Sequence, residues 1–270
     1  MNSIVIMVFL LTSCGHMDTS VNRKDLNGFD FKLFQGTIAW NLAKATDDEN
    51  VSDIKKEIDE NHSLINFRES KFGQTLLQLA VKNQKIVSTK TLLDLGADPN
   101  LQDNYDGSSP MMESAKIYNE ISGGSDVRYL KLMLLHGGDP NAVEGTPRSS
   151  GNSTRETPLL NACSNGIFDY VEILVEAGAN INYRNEFGGN ALYSAIISKN
   201  PDIVIYLLEK GADFRSPMAT YPAIDMPGLH KKRSSLYIMQ ALKSWRFPPG
   251  SEKDQKKVKV VAFLKEHGIN

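Results

Sequence analysis

Residues 157–180 read TPLLNACSNGIFDYVEILVEAGAN, and this stretch decides the fold. Thr157 can cap a helix with its hydroxyl, and Pro158 suits the first turn of that helix. Gly178 can adopt the left-handed conformation that ends a second helix, and Asn180 can bond the backbone amides of the turn that follows. The stretch therefore predicts two short helices followed by a turn.

The second half of this stretch recurs along the chain as two apolar residues, a short spacer, a glycine and a turn. The glycines of the five copies are Gly96, Gly137, Gly178, Gly211 and Gly268. One interval between them is 33 residues and the others are 41, 41 and 57 residues. The spacing predicts a 33-residue unit, with insertions in three of the four intervals.

The first half of the stretch also recurs. Looser copies begin at Thr75 and Asn190, and degenerate copies begin at Ser109 and Ser235. Three of these starts, Thr75, Thr157 and Asn190, lie 21 residues before the glycine of their own unit. Each of these residues can cap a helix, so each predicts the beginning of a first helix.

Together the two phrases resemble the ankyrin repeat, with Leu160 at the place of the His in its Thr-Pro-Leu-His-x-Ala start. The resemblance implies an all-α ankyrin-repeat solenoid of about six helix-turn-helix units with hairpin-like loops. We expect the domain at 36–270, with a divergent unit at each end because terminal repeats expose one face to water. The expected units are approximately 36–72, 73–107, 108–155, 156–188, 189–233 and 234–270.

The N-terminus resembles a bacterial lipoprotein signal. An apolar run at residues 4–11 has the length of a signal-peptide core, and it leads into Leu11-Thr12-Ser13-Cys14. The resemblance implies a signal peptide at 1–13, a palmitate-bearing lipid on Cys14, and a tether that extends to residue 35. Gly15 slightly favours the outer membrane. An alternative is an apolar terminus that holds Cys14 by chance.

The composition argues against several function classes. The net charge of -2 and the pI near 6.2 leave no basic footprint for nucleic acid. No stretch reaches the roughly 18 to 20 apolar residues that a membrane-spanning helix needs. The five histidines lack metal-ligand spacing, and Cys163 shares no motif with a histidine. We therefore expect no enzyme, no metal and no cofactor.

The insertions distinguish this chain from a regular series of 33-residue repeats. They fall at 119–126, 142–156, 215–234 and 246–255. Long surface loops often carry function, although neutral insertions cost little. Exposed aromatic and basic residues at the tips of the loops, called fingers below, are the candidates for partner contacts. The predicted contacts are Tyr105, Arg184, Phe187, Tyr221, Lys231, Lys232 and Arg233. The alternative is that the aromatic residues pack against their own fingers.

These features predict a lipid-anchored binding protein that faces the periplasm of a bacterium. As a class, ankyrin lipoproteins are similar to immunity proteins that neutralise toxic effectors, such as the phospholipases of type VI secretion. The partner expected from this resemblance is a toxic phospholipase effector. The alternative from a different class is a periplasmic scaffold or stress-protection adaptor that organises a partner enzyme.

Overall fold

The computed structural model describes residues 19–119, 124–145, 155–221, 224–226, 229–231 and 234–269. These ranges contain twelve α-helices, which form six consecutive pairs. The helices are α1 (Trp40–Asp47), α2 (Val51–Glu60), α3 (Leu76–Lys82), α4 (Ile86–Asp94), α5 (Pro110–Ser114), α6 (Val127–Leu135), α7 (Pro158–Asn165), α8 (Phe168–Glu176), α9 (Ala191–Ile197), α10 (Pro201–Glu209), α11 (Ile238–Leu242) and α12 (Glu252–Glu266). None of them is long and apolar enough to cross a membrane.

The helix pairs stack in two layers. In the first layer α1, α3, α5, α7, α9 and α11 pack against one another in chain order, and in the second layer α2, α4, α6, α8, α10 and α12 do the same. Each helix buries its apolar stripe between the layers, so one continuous core runs along the whole stack. The predicted all-α solenoid of about six helix-turn-helix units is confirmed.

The first helices begin at side-chain caps, as the sequence predicts for four of them. The cap oxygen of each accepts the backbone amide three residues on, and the four caps are Thr75, Ser109, Thr157 and Asn190. The predicted fifth start, Ser235, is wrong. The backbone of Ser235 is extended and pairs with Thr220, and α11 begins after Tyr237 instead.

A ladder of asparagine side chains joins the loops between units. The amide of each donates to the carbonyl of the helix-ending glycine one unit on, and its oxygen accepts the backbone amide two residues beyond that glycine. The full rungs are Asn100 to Gly137 and Asp139, Asn141 to Gly178 and Asn180, and Asn182 to Gly211 and Asp213, with donor–acceptor distances of 2.7–3.3 Å. Asn66 makes half a rung, since its oxygen accepts the amide of Asp98 at 2.9 Å.

The packed structure begins before the predicted boundary at residue 36. Phe31, Leu33 and Phe34 are buried in the core, and the Phe34 ring lies 6.1 Å from that of Phe67. The ammonium of Lys71 donates to three carbonyls of residues 23–26. Burial of these apolar side chains covers the open face of the first unit, so residues 22–34 are part of the fold and not of a tether. Residues 1–18, with Cys14, lie outside the described residues.

Two of the four insertions form short antiparallel pairs, and the insertion at 142–156 lies largely outside the described residues. Between α5 and α6, strand β1 (Tyr118–Asn119) pairs with β2 (Gly124–Ser125). Before α11, β3 (Ala219–Tyr221) pairs with β6 (Ser234–Leu236), and β4 (Ile224–Met226) pairs with β5 (Leu229–Lys231) inside them. The last insertion is shared between the loop that precedes α12 and the first residues of that helix, which is 15 residues long.

Candidate protein-binding surface

Three fingertip turns are each built around one acceptor side chain. The carboxylate of Glu69 accepts the amides of three residues in the first fingertip. Asp103 does the same in the second, at 3.0–3.1 Å, and the side-chain oxygen of Asn185 accepts two amides in the third. A backbone that is bonded in this way holds its fingertip in one conformation. Each turn carries one aromatic residue, and these are Phe72, Tyr105 and Phe187, which we call the fingertip row.

Tyr105 lies at the tip of the second finger. Its side chain is 54% exposed, and its ring meets the Phe72 ring edge-on at 5.5 Å between centroids. The neighbouring finger therefore packs against Tyr105, and more than half of the side chain remains exposed. The sequence left two alternatives for Tyr105, an exposed contact residue or an aromatic residue packed against a finger. The structure shows both features, since the ring packs against Phe72 and the side chain is still largely exposed.

At 66%, Phe187 is the most exposed of the aromatic residues whose side-chain burial the structure describes. Its backbone amide donates to Asn185 at 3.1 Å, and Gly188 follows it with a φ of 75°. Glycine adopts this left-handed conformation without the steric cost that a side chain brings. The turn thus fixes the Phe187 backbone while its ring stays in water.

Arg184 is held by bonds within the protein. Its guanidinium donates to the carbonyls of Gly188 at 3.1 Å and Pro217 at 2.6 Å, and it lies 3.7 Å from the Asp213 carboxylate. The Ser216 hydroxyl, more than Arg184, holds the pKa of Asp213 below its usual range. Arg184 therefore joins the third finger to the loop after α10, which gives it a structural role beside the predicted contact.

The second fingertip is also tied to the helices. The buried amide of Gln78 on α3 donates to Asp103 at 2.8 Å and to the Ser108 carbonyl at 3.3 Å. Burial raises the pKa of Asp106, and the nearby Asp103 carboxylate raises it further. The carboxyl groups of Asp103 and Asp106 thus lie close together in one turn, and the buried Gln78 side chain holds Asp103 in place.

The remaining predicted contacts lie partly outside the described residues. The backbones of Tyr221 and Lys231 lie on β3 and β5, whereas Lys232 and Arg233 fall outside. Tyr105 and Phe187 occupy the same kind of turn in two different fingers, and the other five predicted contacts are not part of the fingertip row. All seven remain predictions as partner contacts.

Sequence reasoning missed the exposed Ile197 at the end of α9, in the first layer. The core stripe of α9 takes Ala191, Leu192, Ala195 and Ile196, which recur at helical spacing. Ile197 lies outside this stripe. An apolar residue off the stripe is therefore the signal that would have identified it.

The described residues contain no candidate metal cluster, and their one free cysteine is buried. No group of three or more His, Cys, Asp or Glu side chains there could hold a metal ion. Cys163 is fully buried, and burial raises the pKa of its thiol far above the usual range. A protonated thiol in an apolar core is a poor nucleophile.

Comparison with known families identifies the repeat. A model of three ankyrin-repeat copies matches residues 121–217, and a single-repeat model matches 72–104. The chain is similar to the neurogenic locus notch homolog protein 1 of Xenopus laevis, with 29% identity over 145 residues, which is 52% of this chain and 5% of that protein. It is 28% identical over 186 residues to a putative ankyrin repeat protein of Rickettsia bellii (strain RML369-C), which covers 68% of this chain and 62% of the relative. The chain thus spans less than two thirds of either relative's length.

Proposed function

We propose that this chain, which contains ankyrin repeats, is a lipid-anchored immunity protein that binds and neutralises a toxic effector acting in the periplasm, such as a type VI secretion phospholipase. Ankyrin repeats are typical of non-enzymatic scaffolds, and they indicate a protein–protein interaction module. The proposal adds a location at the membrane and a class of partner to that general role.

The fingertip row is the observation that carries the binding proposal. Tyr105 and Phe187 are exposed, and both are anchored through their backbones to the buried or bonded acceptors Asp103 and Asn185. Aromatic side chains are enriched at protein interfaces relative to the rest of the protein surface. A rigid turn loses little conformational entropy on binding, which improves affinity for a given contact area.

The proposed location at the membrane rests on the sequence at residues 11–14. Acyl chains on Cys14 would contribute about 0.8 kcal/mol of membrane binding per buried CH₂ group. A protein held at the membrane surface meets a lipid-degrading effector where that effector acts. The bacterial relative with similar repeats is consistent with this setting.

The anchor is tested by growing the native cell with an alkyne-labelled palmitate and comparing the wild type with Cys14→Ser. The expected result is label on the wild type, none on the variant, and release of the variant from the membrane fraction. An unlabelled, soluble wild type would remove the anchor from the proposal and leave the binding module intact.

The partner is tested by capture from the native cell with wild-type protein and with the double variant Tyr105→Ala/Phe187→Ala. Val258→Ala on α12 is the matched control, because this residue is 63% exposed and lies away from the fingertips. We expect one effector, captured by the wild type and the control and lost in the double variant. Deletion of this chain should then make that effector lethal in the periplasm. A captured enzyme that is harmless after deletion would favour the scaffold function instead.

A further inference from the structure

A groove with a volume of about 900 Å³ runs along the second helix layer, between α2, α4 and α6. It belongs to the outer helices of the first three units and shares no residue with the fingertip row. Its apolar lining includes Ile86, Val87, Leu132 and Leu135. Leu135 is 78% exposed, which makes it the most exposed large apolar residue in the described part of the chain.

The apolar residues of the groove keep part of their surface exposed, although some of them also pack against the core. On α6 the buried residues are Tyr129, Leu130 and Met133, which face the first layer. Leu132 packs against the core and is only partly buried, whereas Leu135 is not among the residues that pack against the core. Exposed apolar residues that line a groove with a polar rim are a feature of interaction sites.

The rim of the groove is basic, although the whole chain has a net charge of -2. Lys55, Lys90, Arg128 and Lys131 line it, against the single carboxylate of Asp94. Lys90 pairs with Asp94, and Arg128 pairs with Asp126 at 2.6 Å. Neither Lys55 nor Lys131 makes an ion pair within the described ranges. Two uncompensated cations therefore flank the apolar floor.

We propose that this groove binds an amphipathic α-helix of a partner protein whose apolar stripe is flanked by Asp and Glu. A helix that lays its apolar face into a groove between helices is a recurrent form of recognition, and the acidic flanks match the unpaired lysines. The concave shape favours a helix over a flat bilayer, because a membrane surface would touch the protruding Leu135 without reaching Ile86, which is only partly exposed. The site is separate from the fingertips, so it adds a second docking surface to the proposed function.

The probe is a designed 18-residue helical peptide with a leucine stripe flanked by glutamates, compared with the same peptide carrying lysines at the flanks. Binding to the full chain is measured by fluorescence anisotropy. We expect the glutamate peptide to bind at least about tenfold more tightly than the lysine peptide, and the difference to shrink in high salt. Equal binding of the two peptides, or no binding of either, would overturn the proposal.

Two variants locate the binding. Leu135→Asp removes an exposed apolar contact, and Lys55→Glu/Lys131→Glu reverses the rim; each should weaken the glutamate peptide at least about tenfold. The reversed rim should also strengthen the lysine peptide, which a misfolded variant would not do. Val258→Asp on α12 is the matched control and should bind like the wild type. Wild-type affinity in the Leu135→Asp protein would refute the assignment of this groove.

Other occupants are tested with the same proteins. Phosphatidylcholine vesicles with phosphatidylglycerol test a lipid surface, and sedimentation equilibrium tests a second copy of this chain. We expect neither vesicle binding nor self-association to depend on Leu135. A Leu135-dependent result in either measurement would overturn the helix assignment. Loss of capture through Tyr105 and Phe187 would leave this proposal unaffected, so the two proposals fail separately.

Discussion

The middle of the stack and its last unit reach stability in different ways. In the middle, one asparagine per loop bonds the backbone of the following unit, and a hydroxyl or amide side chain caps each first helix. In the last unit, Arg215 stands where the next asparagine would be, and its guanidinium donates to the His267 carbonyl at 3.3 Å. Aromatic side chains replace the regular bonds there, since Phe214, Phe263 and His267 pack ring against ring.

This difference shows that regular units are joined by hydrogen bonds from side chains to the backbone. The backbone has the same geometry in every unit, so the same bond can be made at each junction. A terminal unit has a neighbour on one side only, so it relies on large side chains placed individually. Trp245 is the clearest example, because it is fully buried and its indole donates to the Ile196 carbonyl of the preceding unit at 2.8 Å.

The largest effect should come from Trp245→Ala. Removal of a buried tryptophan leaves a cavity and deprives the Ile196 carbonyl of one of its donors, and it should reduce the free energy of unfolding by about 3–5 kcal/mol. Hydrogen exchange should show the loss concentrated in α11 and α12. Trp245→Phe, which keeps a ring, is the control and should cost less than half as much. Uniform loss of protection along all units would contradict the separate character of the last unit.

Thr157→Ala tests the cap at the centre of the stack. Its hydroxyl accepts the amide of Leu160 at 3.2 Å, and both residues are buried. Loss of this cap should cost about 1–2 kcal/mol in urea-induced unfolding. Thr157→Ser retains the hydroxyl and should stay close to the wild type. If serine were as destabilising as alanine, the methyl packing and not the cap would hold the start of α7.

Asn141→Ala breaks one rung of the ladder and compares directly with Arg215→Ala at the end. The first loses two hydrogen bonds to backbone groups near the surface, so we expect about 1 kcal/mol. The second loses one hydrogen bond and the contact of its guanidinium with the Phe214 ring at 5.0 Å, so we expect no more than about 1 kcal/mol. Chemical denaturation of the two variants measures both values. A larger loss for Arg215→Ala than for Asn141→Ala would mean that the junction with the last unit depends on Arg215 more than on the packing of the aromatic rings.

The smallest effect should come from Asp106→Asn in the second fingertip. The raised pKa of Asp106 means that the folded state favours its protonated form, so the wild type loses stability as the pH rises through that value. The amide keeps the acceptor for Ser108 and removes the charge, so at pH 7 it should stabilise by a few tenths of a kcal/mol, since solvent screens this partly exposed group. Thermal melts should show the gain vanishing at low pH. A gain that persists there would point to a cause other than charge.

Much of the repeat could be read directly from the sequence. The ends of a helix depend on hydrogen bonds between residues that are close in sequence. The capping role of Thr157 and the helix-ending role of Gly178 can therefore be predicted without knowing the tertiary structure. The same reasoning failed at Ser235, because an insertion draws its backbone into pairing with Thr220. It also placed the start of the fold too late, because only packing reveals that Phe31 and Phe34 cover the first unit.

The sequence by itself determined the unit, its number and the residues that cap and end its helices, because these are local and they repeat. Only the tertiary structure decided which side chains meet across units. The contact of Tyr105 with Phe72 and the joining of Arg184 to Pro217 each link residues about one unit apart. The basic groove draws its lining from three units at once. No local pattern encodes such neighbours, since they depend on how the stacked helices are placed beside one another.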